Sequence, residues 1–202
     1  MSAAAPHRAV FISDVHLGSG NCHAAELAAF LGGLRTRRLY LVGDIVDLWW
    51  MAQRRAAWGA DQHRVVEALH ALARAGTELV YVPGNRGFNR LRRRLGLRYW
   101  SLADFLKSRS GAAERYIARF VQAGLDDARR RGLDGIVCGH IHRAALVERD
   151  GLVYANDGDW VESLTALAEQ PDGSLVLLRH DGAELARLPS RRPRPERLSE
   201  AA

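Results

Sequence analysis

Ala9–Val10–Phe11–Ile12–Ser13–Asp14–Val15–His16 sets a short apolar run directly before an Asp-x-His pair. Four apolar residues bounded by polar ones read as a buried strand, and residues 13–20 as the loop that leaves it. The arrangement returns three times. Residues 39–42 run into Gly43–Asp44–Ile45–Val46–Asp47, residues 78–82 stop at Pro83–Gly84 before Asn85–Arg86, and residues 135–138 run into Gly139–His140–Ile141–His142. A helix at 24–33 separates the first two runs, with Leu27, Phe30, Leu31 and Leu34 on one face. A second, at 61–75, separates the next two, with Val66, Leu69, His70 and Ala73 as its inward stripe and Gly76 at its end. Strand, helix and strand within about 30 residues make a βαβ unit, so the first three strands predict a parallel sheet in an α/β fold.

Farther along, residues 102–107 and 112–131 predict helices, the longer with Ile117, Phe120, Val121, Leu125 and Ala128 on its apolar face and Gly132 after it. Then the period changes from 3.6 to 2. Residues 145–149, 152–155, 162–169 and 174–180 read as short antiparallel strands, turning at Asp150–Gly151 and Pro171–Asp172–Gly173. The expected organisation is one domain over 8–185, containing a basic helical insertion at 86–131, followed by a disordered tail over 186–202 rich in proline and charge.

The chain has 202 residues, 29 Lys+Arg against 23 Asp+Glu and a formal net charge of +6. Ten basic and two acidic residues fall within 86–119, so the basicity is local and points to an anionic partner at one surface. No stretch is long and apolar enough to span a bilayer. Met1 to His7 has no apolar segment of the secretory kind, so a cytoplasmic location is expected. Two cysteines, Cys22 and Cys138, exclude a disulfide framework and a four-thiolate zinc site.

The polar clusters behind the four strands carry the chemistry. In open α/β sheets the carboxyl ends of strands form the ligand crevice. Asp14, His16, Asp44, Asn85, His140 and His142 would bring carboxylate, imidazole and amide donors there. That mixture suits Mn²⁺, Fe²⁺ or Zn²⁺ better than Mg²⁺ or Ca²⁺. An extended backbone would send Asp14 and His16 to one face, and likewise His140 and His142. Asp44 follows a glycine, which allows a sharp turn and close approach to an ion. Asp47 is placed to orient an imidazole rather than to bind metal itself. Each cluster also has a plainer reading: a polar loop pair at Asp14–His16, a turn at Gly43–Asp44, a strand terminator at Gly84–Asn85. His63 and His70 read as surface histidines on the second helix, and His23 as a helix start. Trp49, Trp50, Met51 and Trp58 suit either an acyl-chain or base seat, or core packing.

Taken together, residues 11–18, 40–47, 137–142 and Asn156–Asp157–Gly158–Asp159–Trp160–Val161–Glu162 resemble the calcineurin-like metallophosphoesterase family. Within it, the match is to the branch of UDP-2,3-diacylglucosamine pyrophosphatases of lipid A synthesis, over roughly residues 9–180. The resemblance implies a layered αββα sandwich. It implies a first metal held by Asp14, His16, Asp44 and His142, and a second sharing Asp44 with Asn85 and His140. The second site of the family also takes a histidine from a His–Gly–Asp segment, which this chain lacks. The family's Asn–His–Asp motif stands here as Asn85–Arg86–Gly87. Members of the branch carry a further stretch, on the order of 70 residues, after the Gly–Asn element. An internal deletion and a shortened second sheet are therefore expected. One metal site is complete, and the second is weakened further by the positive charge of Arg86.

The segment 88–100 interleaves Arg90, Arg92, Arg93, Arg94 and Arg98 with Phe88, Leu91, Leu95, Leu97, Tyr99 and Trp100. Arg86, Arg90, Arg93 and Arg94 are expected to hold a diphosphate or anionic headgroups bidentately. The apolar residues between them would enter the edge of a bilayer. A solvated charged face is the alternative, and the lack of an aromatic stacking platform disfavours nucleic acid. The resemblance implies hydrolysis of a phosphorylated or nucleotide-linked lipid, at reduced rate, at an anionic membrane surface such as the cytoplasmic face of the inner membrane. A catalytically inactive metal- or lipid-binding relative is the other reading.

Overall fold

A computed structural model describes residues 6–47, 58–84 and 111–190. In chain order the elements are β1 (Ala9–Ser13), α1 (Ala24–Gly33), β2 (Arg38–Gly43), α2 (Ala60–Arg74), β3 (Glu78–Pro83), α3 (Gly111–Arg130), β4 (Gly135–Cys138), β5 (Ala145–Arg149), β6 (Leu152–Asn156), β7 (Thr165–Glu169), β8 (Leu175–Arg179) and β9 (Glu184–Leu188). They form a six-stranded sheet in the order β3-β2-β1-β7-β8-β9 and a three-stranded sheet in the order β4-β6-β5. β1 pairs parallel with β2, Val10 opposite Leu39, and β2 parallel with β3, as the two βαβ units require. β7 closes on the other side of β1, antiparallel, and β8 and β9 follow as hairpins.

The two-residue period of the strands builds the layers. In β1, Val10 and Ile12 face α1 and α2, while Phe11 faces the second sheet. In β7, Ala166 and Ala168 face the helices and Leu167 the second sheet. In β6, Val153 and Ala155 point toward the first sheet, and Leu152 and Tyr154 pack under Val121 and Leu125 of α3. Three cores therefore stack as helix, sheet, sheet and helix. This is the αββα architecture expected from the sequence, with a second sheet of only three strands among the described residues.

Local chemistry explains the turns. Asp150 and Gly151 both have positive φ, 49° and 76°, the pair of left-handed residues that a type I′ hairpin between β5 and β6 demands. Asp172 accepts hydrogen bonds from the Ser174 amide and hydroxyl and shapes the β7–β8 turn.

Several expectations need correcting. The buried stripe of α2 is Val65 and Leu72, with Ala68 and Leu69 packed beside them; His70 and Ala73 are exposed. The expected stripe is off by one residue, or 100° around the helix, because Val65 and Val66 are equally apolar and pattern alone does not choose between them. Residues 162–164 turn rather than extend, since β7 begins only at Thr165. β4 belongs to the second sheet, and α3 is that sheet's outer layer rather than an insertion. β9 carries the sheet to Leu188, past the boundary expected at 185, with Ala186 and Leu188 packed inward; Asp181–Gly182 was its turn signal. The arginine-rich segment, the 102–107 helix, Trp49, Trp50, Met51 and the tail from 191 lie outside the described residues. Among the described residues no helix is long and apolar enough to cross a membrane.

Leu167 is fully buried between the sheets. Leu167→Ala should cost about 2–5 kcal/mol, seen as a lower denaturant midpoint at unchanged slope. A midpoint equal to the wild type's would mean that the two sheets are not packed face to face.

Candidate metal centre

The loops that leave β1, β2 and β4 meet at one edge of the sandwich. Two are strapped together by backbone: His16 N–H donates to the Asp44 carbonyl at 2.9 Å, Leu17 N–H to Ile45 at 2.9 Å, and Asp47 N–H to Leu17 at 2.8 Å. The third is tied by the Asp14 carboxylate, whose Oδ2 accepts the His140 N–H at 2.6 Å. Gly139 makes that approach feasible. A Cβ at Gly139 would collide with the Ser13 hydroxyl and with Asp14 Oδ2.

Four site residues occupy the left-handed region: Asp14 at φ 47°, His16 at 54°, His140 at 73° and His142 at 50°. The extended backbone expected for these pairs is therefore wrong. All four instead adopt left-handed φ, a conformation Asp and His tolerate better than most side chains. Such residues still cost on the order of 1 kcal/mol or more each, and surrounding contacts must hold them.

The result is a trio. Asp14, His16 and His142 each offer a donor atom within 4.8 Å of the other two, Asp14 buried and both histidines half-buried. The two imidazoles lie 5.7 Å apart, centre to centre. His16 Nδ1 faces Asp47 Oδ2 at 3.4 Å. His142 sits between carboxylates, Nε2 3.5 Å from Asp14 Oδ1 and Nδ1 3.9 Å from Asp159 Oδ1. Asp44 is close enough to feel the charges of His16, Asp14, His140 and Asp47, but its carboxylate stands outside the trio. Gly84 abuts it: a Cβ there would lie 2.6 Å from Gly43 Cα and 3.0 Å from Asp44 Oδ1, so the end of β3 also reaches the site. The ring of His140 lies 6.0 Å from that of Phe120 on α3. Asn85, Arg86, Arg90, Arg93 and Arg94 lie outside the described residues.

Electrostatics sort the groups. Burial works to raise the carboxyl of Asp14, but the hydrogen bond and charge of His142, the His140 amide and Ser13 hold it below the ordinary carboxylate value. Burial works to lower His142, yet Asp14, Asp159 and Glu162 raise it. Burial raises Asp44, with Asp14 and Asp47 adding to it against His16 and His140. The cysteines are inert by comparison: burial pushes the Cys22 thiol up to about 12 and raises that of Cys138.

Sequence reasoning quoted residues 156–162 for their resemblance alone and gave this layer behind the trio no role. Ser13 Oγ donates to Asp157 Oδ1 at 2.7 Å and to the Gly158 carbonyl at 3.1 Å. Asn156 Nδ2 donates to the Gly139 carbonyl at 2.9 Å. Asp159 accepts the amides of Val161, Glu162 and Ser163. Asn156, Asp157 and Asp159 are all fully buried. The signal was available: four consecutive residues of polar or turn type, Asn156–Asp157–Gly158–Asp159, stand between strands that are otherwise core.

Asp157 Oδ2 has no hydrogen-bond partner among the described residues. Burial first, then the charges of Asp14 and Asp159, raises its carboxyl well above the ordinary value, against the Ser13 hydroxyl. A raised native pKa makes the folded state bind the extra proton, so this group's contribution is complete below about pH 4 and is lost as pH rises through the native pKa. Asp157→Asn should therefore leave the metal-free Tm unchanged near pH 4. The gain should grow toward pH 8, at about 2–4 °C for each kcal/mol relieved. A Tm difference independent of pH would contradict this assignment.

Comparison with known proteins gives a partial match. No family model matches the chain. It is 39% identical over 84 residues to a UDP-2,3-diacylglucosamine hydrolase of Xanthomonas campestris pv. campestris (strain B100), a span of 39% of this chain and 32% of that protein. It is 39% identical over 85 residues to one of Aromatoleum aromaticum (strain DSM 19018 / LMG 30748 / EbN1), 40% of this chain and 33% of that protein. The match thus spans about a third of the length of these curated relatives. The structure of Vacuolar Protein Sorting 29 from Cryptosporidium parvum superposes with a TM-score of 0.46 and 14% identity, over 90% of this chain and 97% of that one.

Proposed function

We propose that this chain is a metal-dependent hydrolase of phosphoesters or diphosphates, built around one strong divalent-cation site. The observation that carries the reading is the convergence of Asp14, His16 and His142 from two different sheets through strained backbone. Left-handed φ at four polar residues carries a cost that a bound ion would offset. Two imidazoles and a buried carboxylate fit Mn²⁺, Fe²⁺ or Zn²⁺, with Mn²⁺ our first choice and Asp44 as the fourth ligand. Asp47 faces the far nitrogen of His16 and would hold that ring in its ligating orientation.

A bound divalent cation would supply Lewis-acid charge to a phosphoryl oxygen and a lowered pKa to water. The chain's own residues do the rest. Asp14 stays ionised and fixes the loop after β4. Asp44 lies within charge range of Asp14, His16 and His140. A second cation would have to rely on Asp44, His140 and Asn85, a mostly neutral set beside Arg86, so we read turnover as weaker than in a relative with two full sites.

The named relatives support a UDP-linked diacylglucosamine as substrate, and the family resemblance adds cleavage to a lipid phosphate and UMP. Arg86, Arg90, Arg93 and Arg94 would take its diphosphate, and their segment would rest on an anionic membrane surface. A second reading is a metal- or lipid-binding relative without turnover. Gly87, standing where the resemblance implies an aspartate, favours it.

Equilibrium dialysis against Mn²⁺ and assay of UMP release test both. The full chain should bind about one Mn²⁺ tightly. Asp14→Ala and His16→Ala should each lose more than about 100-fold in affinity, beyond what loss of an outer partner costs. Wild-type affinity in a folded Asp14→Ala protein would refute the site. Tight binding without UMP release would favour the second reading over the first.

A further inference from the structure

The structure assigns Asp159 as the positioning residue for His142, fixing which imidazole nitrogen is left for the cation. This assignment rests on the metal reading above and names a residue outside its ligand set. Asp159 is fully buried, on the loop between β6 and β7. Its Oδ1 lies 3.9 Å from His142 Nδ1, while His142 Nε2 points the other way, 3.5 Å from Asp14 Oδ1. A carboxylate on the Nδ1 side favours a proton there. The lone pair then falls on Nε2, toward the trio.

Asp159 is itself held rigidly. The amides of Val161 and Glu162 donate to Oδ1, and the Ser163 hydroxyl donates to Oδ2 at 2.9 Å. These donors fix the side chain in place in the core. The next residue ties the same loop to the other side of the site. Trp160 N–H donates to the Asp14 carbonyl at 3.2 Å, and the Trp160 carbonyl accepts the His23 N–H at 3.0 Å. The Trp160 ring is fully buried, 5.3 Å from that of Phe30 on α1. One loop thus reaches both Asp14 on the first sheet and His142 on the second. Its register is anchored by the largest side chain of the core.

The relation mirrors that of Asp47 to His16, so each imidazole of the trio has its own carboxylate behind it. The two differ in sequence signal. Asp47 lies three residues after Asp44 in one motif, whereas Asp159 lies 17 residues after His142, across a hairpin.

The test uses the full-length protein and three variants. Asp159→Asn keeps an oxygen that can accept the Val161 and Glu162 amides, so the turn survives while the charge facing His142 is lost. Asp159→Ala removes both. Ser163→Ala loosens the carboxylate without removing it. Isothermal titration with Mn²⁺ should show affinity falling about 10–100-fold in Asp159→Asn and in Asp159→Ala, and less in Ser163→Ala. Nitrogen-15 histidine spectra of the Zn²⁺-loaded chains give the readout that loss of packing would not move. The wild type should show His142 bound through Nε2 and protonated at Nδ1, and both Asp159 variants should show a mixture of Nε2-bound and Nδ1-bound forms. Folded Asp159→Asn protein with wild-type affinity and an unchanged Nδ1–H signal would overturn the assignment and leave the metal site standing. A wild-type chain that binds neither ion would overturn both.

Discussion

The rest of the structure depends on one close approach. Gly139, at the end of β4, comes so near Ser13 and Asp14 that no side chain fits between them, and the following amide, of His140, bonds the Asp14 carboxylate at 2.6 Å. That contact joins the two sheets at the edge where their strands end. It places His142, which belongs to the second sheet, within donor reach of Asp14 and His16, which belong to the first.

Around that contact the molecule concentrates its costs. Four left-handed non-glycine residues, the buried Asp157, whose Oδ2 has no hydrogen-bond partner among the described residues, and the buried Asp159 all lie within a few residues of the edge. The apolar layers follow their alternation without exception along β1, β6 and β7, and they supply the stability against which these local costs are set. Where sequence logic and structure disagree most, at the backbone of Asp14–Val15–His16 and His140–Ile141–His142, the strain marks the site.

Much of this was legible in the sequence because it is local. Apolar runs of four, the helical stripe of α1 and the Asp-Gly turn each depend on a few neighbouring residues, and all three stand as read. The trio was legible too, because its members follow strands in short motifs. What escaped depends on distant partners. The stripe of α2 was displaced because its start, rather than its composition, chooses between Val65 and Val66. β9 escaped because an edge strand with Glu184 and Arg187 on its exposed side carries little hydrophobic signal. Asp159 escaped because its role exists only once β5 and β6 have folded back on β4.

The central claim is that two sheets bring their strand ends together to hold a cation. The most direct measurement is an anomalous difference map from crystals of the full chain soaked in Mn²⁺. The account predicts a peak within about 2.0–2.3 Å of Asp14, His16 and His142 donor atoms. A map with no peak there, or with its strongest peak bound by other residues, would contradict it.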